Sequence, residues 1–284
     1  MVVGEIHETS QRERSAQGSD VTINTSVVVR TFGYERLDAV LGAVFAQEER
    51  VATLTDVTIV NAGASVDVTP FVVANKSHVE IYDVSLADKD FSYGRALNVG
   101  IERARGDVVA LLSGHSIPAS ERWLDALVLP FKDEAVAGVC GSQIPYDGSN
   151  VLETYYRRVW YHSVFARVSF VFNASNAAVR RSDWMALRFD ENIASCEDRH
   201  WARSMRRRGR PIPFALDAAV YHSHICGMGE SLKYFAALWG DMFALRAGLP
   251  SRLSIVPRIA KSRLIRDELR YNDSDDIGGK REPE

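Results

Sequence analysis

Apolar residues in the first part of the chain form two alternating patterns: short continuous runs, and longer segments in which they recur every three or four positions. The short runs, rich in β-branched residues, occupy 26–30, 57–60, 79–84 and 108–112. They predict four buried strands, and the helical spacing between them predicts helices from Arg36 and over 93–104. Strand, helix, strand at this spacing predicts right-handed parallel crossovers. We therefore expect an α/β protein with a mostly parallel central sheet covered by helices on both faces.

The pattern becomes mixed after Pro118. It predicts a helix over 123–131, strands over 136–142 and 176–180, a helix over 196–208 and an amphipathic helix over 232–243. Gly106 is placed to end the helix over 93–104 in a left-handed cap. Because no Pro-, Gly- or Ser-rich linker separates the halves, we expect one domain over 21–250. It would lie between a flexible leader at 1–20 and a basic helical extension with a polar tail at 251–284.

Composition narrows the classes of partner. The 284 residues carry a formal charge of -3, which argues against nucleic acid as the main partner. Three widely spaced cysteines suggest neither a disulfide framework nor a structural zinc site, so a cytoplasmic setting fits best. No apolar run approaches the roughly 20 residues of a membrane span. The helix around Trp239 and the basic stretch 252–270 leave peripheral contact at the inner face of the cell membrane open, beside a core or interface role for that helix.

Paired carboxylates at Glu197 and Asp198 fall at the predicted start of a helix. Such a pair can supply the general base that a group-transfer enzyme needs for an acceptor hydroxyl. The same residues, preceded by Ser195, also fit a capping box that satisfies the helix N-terminus. Both interpretations stay open on sequence grounds.

Histidines recur where a parallel sheet presents its ligands. His115 follows the predicted strand 108–112, and ligands of such sheets bind at the carboxyl ends of the strands. His222 and His224 flank a serine, so their side chains point the same way only if the backbone is extended there. An imidazole pair formed by His115 and His222 could bind a divalent ion, whereas packed or surface histidines are the plainer alternative.

Four groups of motifs, in this order, are specific when taken together. They are 26–31 with Gln47, 91–98 with Gly106-Asp107, Phe189-Asp190-Glu191 with Glu197-Asp198, and 220–224. In these motifs the chain resembles the family 2 glycosyltransferases of the GT-A fold, closest to bacterial rhamnosyltransferase-like members, across residues 25–245. The resemblance implies a Rossmann-like, mostly parallel central sheet with a C-terminal helical extension.

The resemblance also implies an activity. Such enzymes carry out inverting transfer from a nucleotide-diphosphate sugar, here a UDP- or dTDP-sugar, to a hydroxyl of a glycan, lipid-linked or small-molecule acceptor. Asp198 corresponds to the general base and Glu197 to a residue that helps to hold the acceptor. A divalent cation, Mn or Mg, would bridge the diphosphate from His115 and His222. The implied setting is surface polysaccharide or glycoconjugate biosynthesis. The sequence leaves open whether the protein forms a homo-oligomer.

The remaining site residues are assigned to the nucleotide sugar or to the acceptor. Thr31, Asn61 and Arg95 correspond to residues that line the nucleotide pocket in the family. Ser113 and Arg203 are further predicted nucleotide-sugar-binding residues, Arg203 because it lies nearest the carboxylate pair, although a solvated helix face is its plainer alternative. Asn176 and Trp201 are predicted acceptor residues.

Two positions depart from the family pattern. Where the family usually carries Asp-x-Asp, this chain has Ser113-Gly114-His115, although polypeptide N-acetylgalactosaminyltransferases also place a histidine third. Asn61 replaces the aspartate that usually contacts the nucleobase. The missing carboxylate makes a non-catalytic nucleotide-sugar-binding or partner-binding relative the alternative. A dinucleotide oxidoreductase is disfavoured because no Gly-x-Gly-x-x-Gly follows the first strand.

Overall fold

The computed structural model describes residues 22–31, 36–62, 80–86, 91–161, 172–193, 195–224 and 227–246. The predicted leader at 1–20 and the predicted extension at 251–284, with its basic stretch, lie outside these residues. Within the described part of the chain, no helix has both the length and the apolar character needed to cross a membrane.

The described elements include those that the sequence patterns predict, together with helices at 151–155 and 181–186 that the patterns did not predict and a strand at 214–221 whose bounds they did not predict. The strands are β1 (Ile23–Thr31), β2 (Ala52–Asn61), β3 (Glu80–Ser85), β4 (Val108–Ser113), β5 (Ile117–Pro118), β6 (Gly138–Ile144), β7 (Asn176–Arg180) and β8 (Phe214–Tyr221). The helices are α1 (Leu37–Phe45), α2 (Tyr93–Arg103), α3 (Trp123–Val128), α4 (Val151–Tyr155), α5 (Arg181–Ala186), α6 (Glu197–Arg207) and α7 (Met228–Arg246). A 3-10 turn, Leu129–Lys132, follows α3, because Pro130 cannot supply the N–H that a longer α-helix needs. A π-helical turn, Tyr156–Trp160, follows α4.

One sheet joins these strands in the order β3-β2-β1-β4-β7-β6-β8-β5. The first four strands run parallel, which confirms the predicted crossovers. Strand β7 is antiparallel to both of its neighbours, β8 is parallel to β6, and β5 pairs antiparallel with β8. The sequence did not predict β5, because a two-residue strand leaves no periodic pattern.

Both faces of the sheet are covered, and successive residues of β1 show how. Val27 and Val29 pack in the same cluster as the apolar residues of α1, whereas Val28 packs on the other face with Leu97 and Ile101 of α2. All three valines are fully buried. Burial of each such side chain contributes on the order of 1.5 to 3 kcal/mol, so a strand without polar alternation is stable only between two helical layers.

Gly106 does not form the predicted left-handed cap. Helix α2 ends at an extended Ala104, and Gly106 is absent from the described residues with positive φ. The glycine is needed for close packing, since a Cβ there would lie 2.6 Å from the backbone nitrogen of Ser26. Its N–H donates to Ser26 Oγ at 2.8 Å, and that hydroxyl donates to Asp56 Oδ2 at 2.7 Å. Gly106 therefore allows the chain to enter β4 directly against β1.

Gly106→Ala should destabilise the protein by about 1 to 3 kcal/mol, because the new methyl group meets rigid backbone atoms. Gly42→Ala is the matched control, since a Cβ at this α1 position has no neighbour within 4 Å among the described residues. It should stabilise the helix by about 0.5 to 1 kcal/mol. Urea unfolding of both variants measures these changes. Equal stability of Gly106→Ala and wild type would contradict the close packing.

Candidate functional site

Three predicted nucleotide-sugar residues converge at the carboxyl edge of the sheet. Thr31 pairs with Asn61 in the register of β1 and β2, and Arg30 pairs with Ser113 of β4. Thr31, Asn61 and Ser113 are all buried. A Cβ on Gly114 would lie 2.5 Å from Thr31 Oγ1, so only glycine lets the loop after β4 cross this strand end. The parallel pairing alone brings these side chains into one small region.

The two predicted arginines lie on helices rather than at strand ends. Arg95 is exposed in the first turn of α2, where its backbone N–H donates to the N-cap hydroxyl of Ser92. Arg203 is half-buried, six residues after Glu197 on α6, which corresponds to about 9 Å along the helix axis. Their roles toward a nucleotide sugar stay predictions.

The two residues assigned to the acceptor lie in the core. The Asn176 amide is fully buried and donates to the carbonyls of Ser142 at 2.7 Å and Ala218 at 2.8 Å, while its oxygen accepts from Trp123 Nε1 at 3.0 Å. Trp201 is 1% exposed, and its indole N–H donates to a backbone carbonyl at 2.7 Å. The polar atoms of both side chains are already engaged by core partners, so the structure favours a packing role for both.

The carboxylate pair lies at the N-terminus of α6, but the predicted capping box does not form. The N-cap residue is Cys196, which has a left-handed φ of 66° and makes no side-chain capping bond. Asp198 is partly exposed, and its two oxygens accept the backbone N–H groups of Ala174 at 2.9 Å and Arg199 at 2.7 Å. Two backbone donors on different segments therefore fix the direction of this carboxylate.

Glu197 is buried beside a cation. Burial, followed by the neighbouring Asp198, raises the pKa of Glu197 to about 8 from the usual 4.5. Arg30 opposes this shift, because its Nη1 lies 3.7 Å from Glu197 Oε1. The Arg30 guanidinium also stacks over the Tyr93 ring, with 4.5 Å to the centroid. The sequence analysis did not assign Arg30 to the site, although its place at the end of a buried strand was a usable signal.

A histidine cluster forms beside this edge from the residues that follow β4 and β8. Ring centroids are 4.7 Å apart for His115 and His222, 5.4 Å for His115 and His224, and 5.5 Å for His222 and His224. One ligand atom from each histidine lies within 4.8 Å of the other two. Ser223 faces away and accepts from the Tyr146 N–H at 3.1 Å, as expected for extended backbone. His224 was not among the predicted ligands, although the His-Ser-His spacing indicated it.

All three imidazoles are held neutral. Burial lowers the pKa of His115 and His222 well below the usual 6.5, and lowers the pKa of His224 to about 3. The positive charge of Arg157 acts in the same direction on each. Nε2 of His115 is buried and has no hydrogen-bond partner among the described residues. A neutral imidazole with an unused buried nitrogen fits the requirements of a divalent metal ligand.

A buried polar chain fixes the tautomer of His222. Gln143 Oε1 accepts a hydrogen bond from Arg157, which can only donate, and lies 3.1 Å from His222 Nδ1. The atom facing Nδ1 is therefore an acceptor, so Nδ1 carries the proton and Nε2 keeps its lone pair. Arg157 comes from the π-helical turn and pairs with the buried Glu153 at 2.9 Å. This orientation of a ligand by its neighbours is typical of metal sites.

An acidic pair and a neutral histidine cluster at the carboxyl edge of a mostly parallel sheet form a candidate site where α/β proteins of this kind bind their ligands. The family profile described as Glycosyl transferase family 2 matches residues 26–192, more than half of the 284 residues. The chain belongs to glycosyl transferase family 2.

Comparison with known proteins agrees with this membership. The chain is similar to the O-antigen chain rhamnosyltransferase WbaN of Salmonella anatum, with 29% identity over an alignment of 155 positions that covers 50% of this chain and 49% of the relative. The chain thus spans about half the length of the curated relative it matches. The resemblance to rhamnosyltransferases predicted from the motifs is confirmed.

Two solved structures share the fold. PcManGT from Pyrobaculum calidifontis, a mannosyltransferase in complex with GDP-Man and Mn²⁺, matches with a TM-score of 0.61 and 18% identity over 87% of this chain and 70% of its own. S. aureus TarS 1-349 in complex with UDP-GlcNAc matches with a TM-score of 0.53 and 15% identity over 89% of this chain and 73% of its own. At these identities the likeness shows the fold, and the predicted GT-A architecture is confirmed.

Glu197→Gln tests the buried carboxyl through pH. Because the folded-state pKa is about 8 and the usual value is 4.5, the folded protein keeps a proton that the unfolded chain releases between these values. The stability of wild type relative to the variant is therefore greatest below the lower value. It should fall as pH rises toward the higher one, by up to about 1.4 kcal/mol per unit. Urea unfolding of both proteins at about pH 5.5 and about pH 8.5 measures the change. The same difference at both pH values would contradict the raised pKa.

Proposed function

We propose that the protein is an inverting glycosyltransferase that moves a sugar from a UDP- or dTDP-linked donor to a hydroxyl acceptor in surface polysaccharide or glycoconjugate biosynthesis. Membership of glycosyl transferase family 2 supports the transfer. The similarity to an O-antigen chain rhamnosyltransferase supports the polysaccharide setting. The GT-A relatives complexed with GDP-Man and UDP-GlcNAc support a nucleotide sugar as donor.

The observation that carries the proposal is the position of Arg30 between the two halves of the site. Its guanidinium lies 3.7 Å from Glu197, and its charge also contributes to the lowered pKa of His115 and His222. The same charge therefore acts on the acidic pair and on the histidine cluster, which supports placing both around one sugar-binding space. In an inverting displacement, the general base and the leaving group must lie on opposite faces of the same sugar ring.

Asp198 is the proposed base. Inversion requires the acceptor hydroxyl to lose its proton while its oxygen attacks the anomeric carbon. Each Asp198 oxygen accepts one backbone N–H and keeps a further lone pair, so the carboxylate is oriented but still able to take a proton. Its partial exposure leaves it accessible to an acceptor, whereas the buried Glu197 supports the acceptor side from behind.

His115 and His222 are the proposed holders of the divalent cation. The orphaned Nε2 of His115 and the fixed tautomer of His222 are the observations that support this assignment. Bound there, the cation would neutralise charge that develops on the departing diphosphate. Thr31, Asn61 and Ser113 would contact the nucleotide from the adjoining strand ends.

Donor binding can be tested without an acceptor. Titration calorimetry with UDP-, dTDP- and GDP-sugars, each with and without a divalent ion, should show binding at submillimolar ligand for at least one uridine or thymidine donor. Binding that strengthens with the ion is expected, since both would meet at the histidine cluster. No binding to any of these donors at millimolar concentration would contradict the proposed function.

The substitution Asp198→Asn distinguishes a catalytic role of this carboxylate as general base from a purely structural role. An amide cannot take the acceptor proton, so transfer to acceptor or to water should fall by about 100-fold to 10,000-fold while donor binding remains. The variant also loses one acceptor for a backbone N–H, at a cost of about 1 to 3 kcal/mol. Release of nucleoside diphosphate from the donor measures the rate, and urea unfolding measures the stability.

Asp125→Asn is the matched control. The buried Asp125 carboxylate also accepts backbone N–H groups, from Val51 at 2.9 Å, Ala52 at 2.8 Å and Arg50 at 3.1 Å. Its replacement should cost comparable stability and leave turnover unchanged. If Asp198→Asn kept more than about half of the wild-type rate, the base assignment would be rejected. If the wild type bound donors but neither it nor any variant released nucleoside diphosphate, the non-catalytic alternative would be favoured instead.

A further inference from the structure

His224 adds a third imidazole to the pair that the sequence predicted. One ligand atom from each of His115, His222 and His224 lies within 4.8 Å of the other two. A tetrahedral ion with bonds of about 2.0 to 2.1 Å separates two donors by about 3.4 Å. The three rings therefore need to approach one another by little more than about 1 Å, which ring rotation and small backbone shifts can supply.

Each of the three histidines is held in place by a separate contact. The Tyr146 hydroxyl donates to the His115 carbonyl at 2.7 Å, and Gln143 orients His222. The ring of Tyr234, on α7, packs edge-on against His224 with 5.0 Å between centroids. Contacts from a loop, a strand and a helix therefore keep the three rings close together before any ion arrives.

No carboxylate belongs to this cluster among the described residues. Ser113, where the family usually has an aspartate, turns its buried hydroxyl to Ser116 Oγ at 2.6 Å. The buried Glu153 pairs with Arg157 through Oε2, and its ligand atoms are not among those that meet in this cluster. The donor set is therefore made of nitrogen.

A nitrogen donor set selects among divalent ions. Mg²⁺ is hard, prefers oxygen and gives up its water reluctantly, whereas imidazole suits zinc, cobalt, nickel and iron. Affinity for such sites rises from Mn²⁺ toward the later first-row ions. Three protein ligands also leave a coordination position open, as in catalytic sites.

We propose that His115, His222 and His224 together bind one first-row transition ion, with Zn²⁺ and Co²⁺ held more tightly than Mn²⁺ and with Mg²⁺ unable to compete. The site exists in the protein without a sugar nucleotide. The proposal can therefore fail while the transferase assignment stands, and the reverse also holds.

The test uses the full chain after treatment with a chelator. Competition titrations with Zn²⁺, Co²⁺, Mn²⁺ and Mg²⁺ should give a Zn²⁺ affinity at least about 100-fold above that of Mn²⁺, and no Mg²⁺ competition at millimolar concentration. Co²⁺ should produce the visible absorption of a four- or five-coordinate nitrogen site. Tight Mg²⁺ binding, or equal affinities for Zn²⁺ and Mn²⁺, would overturn the proposal.

His224→Ala should lower Zn²⁺ affinity by at least about 100-fold and change the Co²⁺ spectrum, because a ligand is lost rather than a supporting contact. His200→Ala is the matched control: His200 lies on α6, outside the cluster, and its loss should change neither measurement. A His224→Ala protein that binds Zn²⁺ within about 3-fold of wild type would exclude His224 as a ligand.

His224→Asp keeps a donor and changes its type. A carboxylate oxygen should raise Mn²⁺ affinity relative to Zn²⁺ and narrow the ratio between the two ions. This variant also serves if the alanine variant is misfolded, which circular dichroism and melting temperature would reveal. An unchanged ratio in folded His224→Asp would contradict the nitrogen-based selectivity.

Discussion

The parallel pairing of β1 with β2 on one side and with β4 on the other is the constraint on which the site depends. It aligns Thr31 with Asn61 and Arg30 with Ser113, so polar groups from distant parts of the sequence end at one edge. Two glycines make this close pairing possible. Gly106 admits the chain beside the start of β1, and Gly114 lets it leave over the end of the same strand. A side chain at Gly114 would displace the strand end that the site needs, and one at Gly106 would push β1 and β4 apart at their amino ends.

The two largely buried arginines near this edge differ in how their charge is compensated. Arg157 is neutralised by the buried Glu153, so its hydrogen bond to Gln143 orients a histidine without leaving an isolated charge in the interior. Arg30 faces Glu197 at 3.7 Å, but the raised pKa of Glu197 keeps that carboxyl largely protonated at neutral pH. Arg30 therefore retains positive charge that can attract an anionic ligand.

The sequence predicted the parts of the fold that follow from local periodicity, and much of the edge follows from them. The periodic patterns of β1, β2, β4, α1, α2 and α6 are strong enough to predict each element from its own sequence. The order of these elements then places Thr31, Asn61 and His115 at the carboxyl edge of the sheet. Gly106 was misinterpreted because a close approach between distant strands leaves no local pattern. An acceptor role was predicted for Asn176, yet its amide is consumed by three core contacts that only tertiary structure reveals. The strand end at Arg30 and the His-Ser-His spacing were usable signals, but the contacts that give Arg30 and His224 their roles come from residues far away in the sequence.

The replacement of an aspartate by Ser113 changes the charge of the site as well as its ligands. An ion held by an aspartate and an imidazole shares its charge with the carboxylate, whereas one held by neutral imidazoles keeps both positive charges. The attraction between that ion and a dianionic diphosphate would then be greater at the same distance, because Coulomb energy scales with the product of the charges. Such a gain would offset the loss of the oxygen ligand. Burial of the histidines favours this arrangement, because it keeps the imidazoles neutral. A protonated imidazole would repel the ion and could not act as its ligand.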